Sequence, residues 1–104
     1  MYTIAETAIF SRYVSDYWTE EERAAFAVWI AEHYDTGDII PGSGGCRKVR
    51  WSRKGKGKRG GLRVIYYNVL ENGTIWLLLI YAKNKNENIP AHILKAIKEE
   101  ITCP

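Results

Sequence analysis

At 104 residues the chain makes one small domain, and 46% apolar residues with four Trp and seven Tyr supply material for a real core, covering roughly 60–65% of the surface the unfolded chain exposes. The longest apolar run, Ile75 to Ala82, is too short to cross a bilayer, and no basic-then-apolar leader pattern opens the chain, so the expectation is a cytoplasmic protein with no membrane partner. The net charge of +3 hides an asymmetry: residues 1–38 carry two basic and eight acidic side chains, residues 39–70 carry nine basic and none acidic, and residues 71–104 balance four against four.

In chain order, Tyr2 to Ala5 reads as a short strand. From Thr7 the spacing Phe10, Tyr13, Val14, Tyr17 is helical. A second helix begins at "TEEE", where Thr19 and Glu22 form a capping box and three glutamates complement the helix N-terminus. Its predicted buried stripe is Phe26, Trp29, Ile30 and His33 or Tyr34, with Gly37 as the stop. Ile39 to Gly45 reads as a loop, and Cys46 to Trp51 as a strand of alternating basic and apolar residues. "LRVIYYNVL" is apolar on both faces and reads as a central strand. Asn72-Gly73 signals a two-residue hairpin, and "IWLLLIYA" is the next central strand. Pro90 with Ile93, Ile97 and Ile101 marks a C-terminal helix. The order is β-α-α-β-β-β-α, a small single α+β domain spanning 1–104, with helices on one face of a largely antiparallel sheet.

Among chemical signatures, "GKGKRG" (Gly55 to Gly60) formally matches G-x-G-x-x-G. That motif needs a strand before it, a helix after it and an acidic residue about 20 positions on. Here a strand follows and position 75 is Ile, so a dinucleotide site is excluded. His33, His92, Cys46 and Cys103 lack ligand spacing, so no metal or other cofactor is expected. His33 is expected half-buried, His92 on the surface, and the two cysteines as free thiols.

What remains is a basic surface. Arg47, Lys48, Arg50, Arg53, Lys54, Lys56, Lys58, Arg59 and Arg63 lie close to Trp51, Tyr66, Tyr67 and Tyr81. Cationic charge for the backbone and aromatic faces for unstacked bases are what single-stranded RNA requires. RNA also carries its own nucleophile, the 2′-hydroxyl. A cluster of cations depresses a lysine's pKa toward neutrality, so one lysine can act as general base. Arginines stay protonated and hold transition-state oxyanions. A ribonuclease built from Lys and Arg alone is chemically possible.

The order of these motifs resembles the RelE/HigB superfamily of type II toxins. The likeness rests on "KGKGKRGGLRVIYY" (Lys54 to Tyr67), "IYAKN" (Ile80 to Asn84) and the helical start. "GSGGCRKVR" (Gly42 to Arg50) is closest to the HigB-2-like branch. The resemblance implies a ribosome-dependent mRNA interferase, leaving a 2′,3′-cyclic phosphate and neutralised by a cognate antitoxin. It also implies Lys54 or Lys56 as general base, Arg63 on the scissile phosphate and Lys83 on transition-state charge or the leaving group. Lys58, Arg59 and Lys85 would hold RNA, messenger or ribosomal, and Tyr66 or Tyr81 would take a stacking role. RelE-type members use a tyrosine in the C-terminal segment, and residues 84–104 contain none. A ParE-like gyrase inhibitor and a non-catalytic ribosome- or RNA-binding module are the alternative readings.

Overall fold

The computed structural model describes residues 2–51, 61–82 and 89–102. The chain runs β1 (Thr3–Glu6), α1 (Ala8–Val14), α2 (Glu20–Glu32), β2 (Asp38–Ile39), β3 (Arg47–Trp51), β4 (Leu62–Val69), β5 (Thr74–Ala82) and α3 (Ala91–Thr102). The five strands form one sheet in the order β1-β5-β4-β3-β2. All pairings are antiparallel except β1 with β5. The α+β class and the mostly antiparallel sheet are as the sequence predicts. The short β2 was not foreseen: Asp38 and Ile39 pair with Lys48 and Arg47, at the start of a stretch that reads as loop.

The helices do not share one face, which corrects the sequence-based expectation. Side chains alternate across a strand, and here the alternation feeds two cores. Leu62, Val64 and Tyr66 of β4 join Phe10, Val14, Phe26 and Ile30 of α1 and α2. Ile65 and Tyr67 of β4 point the other way, toward Leu94, Ile97 and Ile101 of α3. A sheet apolar on both faces must be covered on both. Strand patterns with no polar face therefore implied the second cover.

Local signals explain most element boundaries. The Thr19–Glu22 capping box forms in full, with Glu22 N donating to the Thr19 hydroxyl and Thr19 N donating to the Glu22 carboxylate. Phe26 and Ile30 are fully buried, whereas Tyr13 of the predicted α1 stripe is 45% exposed. α2 ends at Glu32, before Gly37, and His33 caps it with its ring stacked on Trp29 and its Nδ1 bonded to the Trp29 carbonyl. The α3 stripe is Leu94, Ile97 and Ile101, while Ile93 is 42% exposed. Four residues, not two, join β4 to β5: Val69 pairs with Thr74, and Gly73 takes the left-handed φ of 69° that closes the loop.

β5 carries one extra residue. Ile65 opposes Leu79 and Tyr66 opposes Leu77, so Leu78 is bulged. Thr7 stabilises this irregularity. Its buried hydroxyl donates to the Leu78 carbonyl, accepts from Phe10 N and so caps α1, and Thr7 N donates to the Leu77 carbonyl. One threonine ties the first helix to the middle of the sheet.

Beside β1, the Arg23 guanidinium grips both oxygens of Glu6, and Ser11 donates to the same carboxylate. The hydrogen bonds from Arg23 hold the Glu6 pKa below its usual range. A depressed carboxylate contributes stability above its ordinary pKa and loses it as pH falls through the lower folded value. The melting temperature of the native chain is therefore expected to fall more steeply than that of Glu6→Gln between roughly pH 5 and 3. Parallel curves would show that the pair contributes nothing.

Candidate nucleic-acid interface

β3, β4 and β5 place one row of polar side chains across the sheet. Arg63 of β4 pairs with Arg50 of β3 on one side and Tyr81 of β5 on the other. Lys48, two residues from Arg50, shares this face, which is the α3 face because Lys48 pairs with Ile65. Arg50 is exposed and Arg63 half-buried. The Arg63 guanidinium makes, among the described residues, one long hydrogen bond, 3.4 Å, to the Leu62 carbonyl. Among the described residues none of these three cations forms an ion pair with a carboxylate, although Asp38 stands across the β2–β3 ladder from Lys48. Two arginines directly opposed across a ladder repel, so this row spends stability to gather positive charge.

The same end of the sheet gathers the segments carrying the other candidate residues. Trp51, the last residue of β3, pairs with Leu62, the first of β4, and Leu62 pairs in turn with Ala82, the last of β5. The chain thus leaves β3 and β5 beside the point where it enters β4. Arg53, Lys54, Lys56, Lys58 and Arg59 follow Trp51, and Lys83 and Lys85 follow Ala82. These seven lie outside the described residues, and their attachment points are all one position from the Arg50–Arg63–Tyr81 row.

Two expected RNA-binding residues are not on this face. Arg47 has the parity of Val49 and Trp51 and lies on the side of α1 and α2. Its Nη1 donates to the carbonyls of Asp35 (3.2 Å) and Gly37 (2.7 Å), which holds the turn before β2. Tyr66 is completely buried. Its hydroxyl donates to the Tyr34 carbonyl at 2.8 Å and accepts from Gly37 N at 2.9 Å. No ring face is open to a base, so the stacking expectation for Tyr66 is corrected. Burial pushes its phenol pKa up, against the partial opposition of the Gly37 N–H.

Tyr81 is also mostly buried, at 5% exposure, so it too offers no open ring face for stacking. Burial pushes its phenol pKa up and the neighbouring Arg63 charge pulls it back. Tyr81 forms part of the wall of a cleft of about 260 Å³ that also includes Lys48, Ile65, Ile89, Pro90 and Leu94. Sequence reading did not anticipate this cleft. Its only signal was the apolar pair Ile89-Pro90 ahead of a helix, which reads equally well as an ordinary helix start. His92 is exposed, and Cys46 is a buried free thiol whose pKa burial raises. Among the described residues no helix is long and apolar enough to cross a membrane, and no three His, Cys, Asp or Glu side chains gather as a metal site would require.

No family model matches the chain. Among solved structures it is similar to E. coli toxin RelE, a double arginine-to-alanine mutant in the free state. The likeness has a TM-score of 0.58 and covers 93% of this chain and 96% of that one, at 12% sequence identity. At such identity the likeness speaks for architecture: three helices and a five-stranded, mostly antiparallel sheet in the RelE-like fold.

Proposed function

We propose that this protein is the toxin of a type II toxin–antitoxin pair and acts in the cytoplasm as a ribosome-dependent mRNA endoribonuclease. The observation that carries the reading is the opposed Arg50–Arg63 pair, without a carboxylate partner among the described residues, at the sheet end from which both lysine-bearing segments leave. A fold that accepts such repulsion gains from it when a polyanion binds. The RelE-like architecture agrees with this assignment.

In the proposed reaction Lys54 or Lys56, acting as general base in its neutral form, takes the proton of a 2′-hydroxyl. The 2′-oxygen forms a bond to phosphorus while the P–O5′ bond breaks, leaving a 2′,3′-cyclic phosphate. Arg63 holds the non-bridging oxygens as their charge grows, and Lys83 supplies the proton or charge that the departing 5′-oxygen needs. Arg50, Arg53, Lys58, Arg59 and Lys85 hold the RNA backbone through phosphate contacts, and Lys48 binds the same RNA from the α3 face of the sheet. The reaction needs no cofactor, and a cognate antitoxin would silence it in the cell.

An in-vitro translation reaction with one defined mRNA tests the reading. Cuts within the translated region that require ribosomes and end in a cyclic phosphate are expected. Intact mRNA with arrested DNA supercoiling would instead establish a gyrase inhibitor, and binding without either effect a non-catalytic RNA module.

A further inference from the structure

The cleft beside Tyr81 has the composition of a binding site. Its walls are mostly apolar, with Ile65 and Leu94 beneath and Ile89 and Pro90 ahead of α3, and it carries two polar groups, the Lys48 ammonium and the Tyr81 phenol. Small-ligand sites share this character, apolar walls with few placed polar groups. Its volume of about 260 Å³ is that of roughly nine water molecules, the scale of one heterocyclic base. Among the described residues no hydrogen bond engages the Tyr81 hydroxyl, and Lys48 forms no ion pair, its cross-strand neighbour Asp38 included. Tyr81 also joins the cleft to the cationic row, because its cross-strand partner is Arg63. A nucleotide whose phosphate meets Arg63 therefore has an apolar slot one strand position away.

We infer that this cleft takes a single unstacked nucleobase of the bound RNA and that Lys48 and Tyr81 select which base enters. The inference rests on the ribonuclease reading and deepens it from backbone binding to base choice. Lysine has three donors and no acceptor. The slot accordingly favours bases presenting a carbonyl, guanine and uracil, over those presenting an amino group at the same position, adenine and cytosine. The apolar walls exclude water and so raise the cost of leaving the ammonium without an acceptor. A buried polar group left unmatched is the physical source of strong discrimination.

The test is a set of short single-stranded RNA oligomers that differ at one position at a time, which is either abasic or carries each of the four bases in turn, titrated against the native chain by fluorescence anisotropy. An abasic residue at one position is expected to weaken binding about tenfold or more, the scale of losing one seated base, and at other positions less than about threefold. Ile89→Trp, which fills the cleft from its rim, should abolish that positional effect while keeping the salt dependence of binding. Lys48→Met retains the aliphatic stem and should remove the preference for carbonyl-bearing bases at that position. Equal losses at every position, or a positional effect unchanged in Ile89→Trp and a base preference unchanged in Lys48→Met, would overturn the cleft assignment and leave backbone binding standing. Absence of any salt-dependent binding of the oligomers would overturn the cleft assignment, while ribosome-dependent cutting in the translation reaction decides the ribonuclease reading separately.

Discussion

Arg63→Ala is expected to lower ribosome-dependent mRNA cleavage by about 10²–10³, the usual cost of removing one group that holds a developing oxyanion. Growth arrest should disappear with it. The fold should survive, because Arg63 is half-buried and its one hydrogen bond among the described residues, to the Leu62 carbonyl, is long at 3.4 Å. Removing it also relieves repulsion from Arg50 directly across the ladder. An unchanged or slightly higher melting temperature with lost cleavage is the expected signature, and antitoxin binding should persist. Arg63→Lys should recover part of the activity, since charge remains but the bidentate fork does not. Full cleavage by Arg63→Ala would remove this residue from the scissile phosphate.

Tyr66→Phe is expected to do the reverse: to cost stability and spare chemistry. The hydroxyl donates to the Tyr34 carbonyl and accepts from Gly37 N, inside a core where the ring is completely buried. Asn68 still reaches the Tyr34 carbonyl in the variant, but the Gly37 N–H loses its acceptor. Stranding such a group costs about 1–3 kcal/mol, and a domain of this size loses about 4–8 °C of melting temperature per kcal/mol. Cleavage per folded molecule should stay at the native level well below the transition. An unchanged melting temperature would mean that the Tyr34–Gly37–Tyr66 node does not hold the turn before β2. Gly37→Ala probes the node from the other side, because an added Cβ would stand 2.7 Å from the Tyr66 hydroxyl.

Both predictions depend on a distinction that one-dimensional patterning does not draw. Arg47, Arg50 and Arg63 look alike in the sequence, as basic residues in or beside strands. Parity separates them once pairing is known: Arg50 and Arg63 oppose each other on the α3 face, and Arg47 turns to the opposite face to hold carbonyls of Asp35 and Gly37. Tyr66 and Tyr81 divide in a similar way. Each is an aromatic in an apolar strand, yet Tyr66 closes the core under α2 while Tyr81 stands at the end of the cationic row. The Leu78 bulge makes this harder still, since it shifts the parity of β5 halfway along its length.

The local elements were legible because their causes are local. The Thr19 capping box, the helix behind Pro90, the strands rich in β-branched and aromatic residues and the Gly73 turn each depend on neighbours within a few positions. The α+β class followed from their order, and the basic middle third followed from counting charges. Long-range pairing decided the rest. It set β1 parallel to β5, added β2 at the far edge and sent α3 to the face opposite α1 and α2. It also aligned Arg50, Arg63 and Tyr81 in one row beside a base-sized cleft. The physical reason is that register between strands is an energy shared by residues far apart in the chain, so no window of sequence contains it.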